Sequence, residues 1–222
     1  MKASLDTNVI IHLYSAGEED ILFDYFEDGI YVDTFIVDVE LKRHGQQIID
    51  KFKQDVRQGK IQIIDKEWLK SNGVLGLYED YYNDDKYLFE KSDEGELRAI
   101  ALARVLGATV IVTDDTKSRG PHFTLMRLPD SDVIPMTFYE ILFFMYLENM
   151  INEEQVGMIF DKVITSADNL PFDANACLNT FIRRFIQSPY SNREKTWFEN
   201  YCQVLGIDPK AKLKQMYNYI KE

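Results

Sequence analysis

Thr109-Val110-Ile111-Val112-Thr113-Asp114-Asp115 is a β-branched run that stops on two acids. A run this short and this apolar suits a strand buried on both faces, the kind found in parallel sheets. Just upstream, Leu97 to Leu106 is rich in Ala and Leu and closes on Gly107, which predicts a helix ending where the strand begins. The same alternation recurs towards the N-terminus. Lys2 to Leu5 reads as a short strand ending on Asp6-Thr7-Asn8, and Val9 to Tyr14 as a buried helix stopping near Gly17. Ile30-Tyr31-Val32 and Lys60 to Ile64 are two further strands. Helices are predicted over Glu19 to Glu27, from a Thr34 cap to His44-Gly45, and over Gln47 to Val56. Phe123 to Leu128 is the last strand expected, with Pro135 starting a helix over Thr137 to Asn149. Residues 66 to 91 give a weaker signal, that of a flap or a short helical hairpin. Strands alternating with helices predict an α/β fold with a parallel β-sheet flanked by helices.

Beyond residue 150 no strand is expected. Asn152 to Thr165, Ala174 to Gln187, Asn192 to Leu205 and Pro209 to Ile220 carry helical periodicity, with prolines at the breaks. The reading is therefore an α/β domain over 1–149 and an all-helical C-terminal extension over 150–222 packed on it. Aromatic residues of that extension (Tyr190, Trp197, Phe198, Tyr201, Tyr217, Tyr219) are expected in its core rather than stacked on bases.

The chain of 222 residues is 45% hydrophobic and 13% aromatic, ample for a folded core. Its N-terminus lacks an apolar signal core and no run suits a membrane span, so a cytoplasmic protein is expected. Cys177 and Cys202 have no metal-ligand spacing and are expected as reduced thiols. The net charge of −12 argues against capture of nucleic acid by a global positive field. Charge is uneven, however: residues 170–222 sum to about +3 and residues 1–169 to about −15.

Acids sit where elements end or begin: Asp6 and Asp114/Asp115 after strands, Glu40 near the end of a helix, Asp93 and Glu96 at a helix start. In a parallel α/β sheet the crevice beyond the carboxyl ends of the strands is the usual site, so Asp6 and the doublet should meet there. Each acid also has an ordinary explanation. Asp6 and Asp93 are good helix caps, Glu40 suits a surface pair with Arg43 or His44, and the doublet suits a turn. Converging carboxylates repel unless a cation repays the cost, and an all-oxygen set favours Mg²⁺ or Mn²⁺ over zinc.

The ordered set Asp6-Thr7-Asn8, Val39-Glu40-Leu41, Gly95-Glu96 leading into Ala99-Ile100-Ala101-Leu102-Ala103, and Thr113-Asp114-Asp115 resembles the PIN-domain nucleases over roughly residues 1–140. The resemblance implies a metal-dependent endoribonuclease, with many members acting as toxins of toxin–antitoxin pairs. It assigns Asp6, Glu40, Glu96 and one or both of Asp114 and Asp115 to an acidic tetrad, Asp93 being an additional acid. The third acid is Glu96 where many members carry Asp, and the doublet leaves the fourth ligand open. RNA, preferentially single-stranded, is then the expected substrate. An antitoxin or other protein partner, or a second copy of the chain, is a candidate partner for the C-terminal helices.

The chemistry needs such groups because a phosphodiester repels the nucleophile that must attack it. Carboxylate-held Mg²⁺ polarises phosphoryl oxygens and lowers the pKa of water, two ions sitting ~3.5–4 Å apart when a pair is used. Lys117, Arg119 and Arg127 follow the doublet and are candidates to hold the phosphate backbone. A dehalogenase-type phosphotransferase would need a second Asp at position 8, where Asn8 stands, and no Gly-rich phosphate loop follows a strand. His12, His44 and His122 are dispersed and read as structural or surface residues. The alternative is a catalytically inactive PIN-like module that binds RNA or protein.

Overall fold

The structure is a computed structural model that describes residues 1–89, 93–117, 120–125, 132–166, 170 and 172–221, with His122 and Phe123 described in backbone only. It contains two compact units, Met1–Phe138 and Tyr139–Glu222. No helix among the described residues is long and apolar enough to cross a membrane.

The first unit is an α/β layer structure, as the alternating pattern requires. Strand β1 (Lys2–Leu5) leads into helix α1 (Thr7–Ala16), which ends at Gly17 in the left-handed conformation, φ 70°. Helix α2 (Asp20–Tyr25) and strand β2 (Gly29–Asp33) follow. The helix expected after Thr34 forms with altered winding: a π-helical turn over Ile36–Glu40 and a 3₁₀ turn over Leu41–Arg43. Then come α3 (Gln46–Arg57) and β3 (Gln62–Ile64). The weak region resolves as the hairpin α4 (Lys66–Ser71) and α5 (Leu75–Asp85). The Ala/Leu-rich helix is α6 (Glu94–Leu106), ahead of β4 (Val110–Val112).

All pairings are parallel and the strand order is β3-β2-β1-β4-β5. The order reverses between β1 and β4, where successive crossovers leave in opposite directions. Right-handed crossovers then place α1 and α3, which pack together, on the face opposite α6, which packs on β1, β2 and β4. Val110, Ile111 and Val112 are fully buried, in keeping with a strand covered on both sides.

The end of this unit departs from expectation. Pro121–Leu125 is a short helix, α7, where a strand was expected to start at Phe123; residues 126–128 lie outside the described set. The fifth strand is instead β5 (Ile134–Met136), paired to β4 through Ile111↔Pro135. Pro135, read as a helix start, sits in an edge strand, where a missing N–H costs no ladder bond on the outer side. Helix α8 (Phe138–Leu147) begins directly after it.

The second unit is helical throughout: the rest of α8, then α9 (Glu153–Ser166), α10 (Ala174–Ile182) with a π turn (Arg183–Gln187), α11 (Asn192–Leu205) and α12 (Pro209–Lys221). An aromatic core forms with Phe198, Trp197 and Tyr201 in it, whereas Tyr190 and Tyr219, also expected there, are exposed. Phe144 packs edge-on against Phe181, Phe185, Trp197 and Tyr201 at 5.0–5.7 Å between ring centres. An unforeseen feature lies within it. The guanidinium of Arg184, 1% exposed, bonds Glu140 at 2.8–2.9 Å and Glu194 at 2.6 Å.

Candidate functional site

Adjacency of β1 and β4 decides what the carboxyl end of the sheet presents. Leu5 pairs with Val112, and the Asp6 N–H bonds the Val112 carbonyl at 2.9 Å. The next residues, Asp6 and Thr113, are therefore neighbours. The Thr113 hydroxyl donates to Asp6 Oδ2 at 3.0 Å and accepts the Asp115 N–H at 3.2 Å. Thr113 thus ties the first strand's acid to the doublet.

Asp6 is 1% exposed. It stands at the N-cap of α1 but makes no cap hydrogen bond of normal geometry, so capping does not account for it. Burial pushes its pKa up to about 7, the Glu40 charge adding to the rise, while the Thr7 backbone, the Thr113 hydroxyl and the Asn8 backbone oppose it.

Glu40 arrives from the π turn. It accepts a hydrogen bond from the Thr7 hydroxyl and lies flat against Gly95. A Cβ on Gly95 would stand 2.7 Å from Glu40 Oε1 and 2.8 Å from its Cδ, so any larger residue here would push the Glu40 carboxylate aside. Glu96 is the third residue of α6 and 8% exposed. Its pKa is pushed up to about 8, first by burial and then by the Asp6 charge; Asp93 adds to the rise and Lys117 opposes it.

Asp93, at the N-cap of α6, is 2% exposed and likewise makes no cap hydrogen bond there. It accepts from Lys117 Nζ at 2.8 Å, and the same ammonium lies 2.7 Å from Asp115 Oδ2. Asp115 Oδ1 also accepts the Lys117 backbone N–H at 3.0 Å. The loop around them is tight: a Cβ on Gly120 would approach the Asp115 carbonyl oxygen to 3.0 Å. Two short acid-to-ammonium bonds hold Lys117 strongly protonated, against a desolvation that works the other way.

The doublet therefore divides. Asp115 joins Asp6, Glu40, Asp93 and Glu96. Asp114 turns away, bonding His12 Nδ1 at 2.6 Å and the Phe138 N–H at 2.9 Å. His12 is structural in this sense, and His44 is exposed. Arg119 and Arg127 lie outside the described residues. Lys117, expected as a phosphate contact, is committed to two carboxylates. Thr7, Thr113 and Gly95 shape the site without having been singled out from sequence.

Among the described residues no three carboxylate, imidazole or thiol groups close on one point as a finished metal site. The donor chemistry nonetheless fits a hard divalent cation. Every donor is oxygen, and two acids are nearly enclosed and crowded enough to hold protons near neutrality, a state that a cation reverses. Without a cation the pocket favours keeping Asp6 and Glu96 neutral; with one it becomes a set of anionic ligands. No family model, curated protein or solved structure matches this chain.

Proposed function

We propose that this protein is a Mg²⁺- or Mn²⁺-dependent endoribonuclease of PIN-like type that hydrolyses phosphodiester bonds in single-stranded RNA. The observation that carries the reading is the gathering of Asp6, Glu96 and Asp115, with Glu40 and Asp93 beside them, at the carboxyl ends of β1 and β4. These acids are contributed by separate elements, and three of them are nearly enclosed. Lys117 pairs with only Asp93 and Asp115, so the buried Asp6 and Glu96 carboxylates lack an ion-pair partner among the described residues, a costly arrangement of the kind found at functional sites.

In this reading Asp6 and Glu96 hold the ion, and Asp115 borders it from the side that Lys117 occupies. The bound ion supplies electrophilic stabilisation of the scissile phosphate and a more acidic water. Thr113 fixes the spacing of Asp6 and Asp115 through its two hydrogen bonds. Glu40, half-buried and held by the Thr7 hydroxyl, is the acid placed to take a proton from the attacking water at its carboxylate. The cation also offsets the acidity of the body, which otherwise repels RNA.

One observation favours the non-catalytic alternative: Lys117 already bridges Asp93 and Asp115. Cleavage of a mixed single-stranded RNA panel, with Mg²⁺, with Mn²⁺ and with EDTA, separates the readings. Asp115→Asn should lose ~10–100-fold, whereas Asp114→Asn should lose clearly less. Equal losses for the two variants would overturn the site assignment. An uncut panel at every metal concentration would establish the binding module instead.

A further inference from the structure

The acidic cluster has two unlike halves. On one side Asp93 Oδ1 and Asp115 Oδ2 share the Lys117 ammonium at 2.8 and 2.7 Å. On the other, Asp6 has the Thr113 hydroxyl as its side-chain partner. Glu96 is 8% exposed, and beyond its own backbone N–H its carboxylate bonds no other residue among those described. Lys117 is felt by Glu96 but forms no ion pair with it among the described residues. One half is thus already cation-filled, and the other holds a buried carboxylate with unused oxygen lone pairs.

The Lys117 backbone is held in place as well. Its own N–H is bonded to Asp115 Oδ1, its carbonyl accepts the Gly120 N–H at 2.9 Å, and a Cβ on Gly120 would come within 3.2 Å of Lys117 Cγ. The side chain, 44% exposed, therefore leaves a backbone that is anchored beside the two acids it bonds. An ammonium and a hydrated divalent ion both answer the charge of paired carboxylates, so they compete for the same place.

We infer that Lys117 is a built-in cation occupying one of two cation positions, so that the centre takes a single divalent ion, on the Asp6/Glu96 side. The inference rests on the metal-dependent reading above and specifies its stoichiometry. A tethered charge has a chemical consequence: it stabilises negative charge beside Asp115 at any metal concentration, so metal dependence of the reaction is first order rather than second.

Full-length protein is titrated with Mn²⁺, and free ion is counted by room-temperature EPR. Wild type should bind one ion per chain. Lys117→Met should bind two, and the second should give an exchange-coupled low-temperature spectrum, the signature of ions ~3.5–4 Å apart. Lys117→Arg, which keeps the charge, should bind one. Lys117→Gln serves as the second neutral variant should the methionine variant fold poorly. Two ions in wild type, or one in both folded neutral variants, would overturn this inference and leave the metal-dependent reading standing. No ion in any of the proteins would overturn both.

Discussion

Asp6→Asn should stabilise the metal-free protein at pH 8 while removing its response to divalent cations. Asp6 is buried and its pKa is raised from 3.8 to about 7. Between those values the folded chain keeps a proton that the unfolded chain has lost, so stability falls as pH rises through this window. The contribution is fully present below pH 3.8 and gone above about 7. A shift of that size corresponds to a ceiling of roughly 4 kcal/mol at pH 8. Asparagine does not ionise, so the variant escapes this loss. It forfeits part of what favours the carboxylate, namely the Thr113 hydroxyl and the facing backbone of Thr7 and Asn8, at about 1–2 kcal/mol. Relief of Glu96, whose pKa the Asp6 charge raises, adds in the stabilising direction. The expected net gain is about 2 kcal/mol at pH 8, roughly 4–8 °C in Tm. By pH 4 the gain should have vanished. Urea unfolding followed by circular dichroism, in EDTA at both pH values, measures it. With Mn²⁺ at about 100 times its dissociation constant, wild type should gain about 3 kcal/mol and the variant little. A variant less stable than wild type at pH 8 in EDTA by more than about 1 kcal/mol would refute the reasoning. It would mean that the Asp6 carboxylate is stabilised in place rather than tolerated.

Gly95→Ala would ordinarily add about 0.5–1 kcal/mol in a helix. Here the new methyl displaces the Glu40 carboxylate and its Thr7 bond, so thermal unfolding should show no net gain and cleavage should fall ~10-fold or more. Arg184→Ala leaves Glu140 and Glu194 buried without their shared cation and should cost roughly 3–5 kcal/mol in urea unfolding at pH 8. Burial already raises the Glu194 pKa, so the loss should shrink as pH falls and Glu194 takes up a proton. A loss below about 1 kcal/mol at pH 8 would show that water reaches the pair.

Periodicity reads well where an element is long or uniformly apolar. Leu97–Leu106, Val110–Val112 and the four C-terminal helices all formed close to their expected bounds. It fails where three residues must decide. Ile134-Pro135-Met136 carries no period, and its proline signals a helix start as strongly as an edge strand; only pairing with β4 makes it a strand. Phe123 and its neighbours are as apolar as a strand, yet Pro121 opens a turn of helix there. Acids at element ends were legible because topology places strand ends together. The choice between Asp114 and Asp115 was not, because it depends on His12, a hundred residues earlier, and on the Phe138 N–H. The Lys117 bridge was illegible for the same reason, since its partners lie on two separate segments.

The winding of Ile36–Glu40 bears on how this segment tolerates a change of length. A π-helical turn holds one residue more than the α-helical turn it replaces. Losing one residue between Phe35 and Glu40 would restore an α-helical turn of nearly the same angular span, so Glu40 would keep its direction towards Gly95. Ile36 and Val37, both buried, would keep their places as well. The surplus residue is absorbed within one turn, which leaves the chain on either side indifferent to whether it is there.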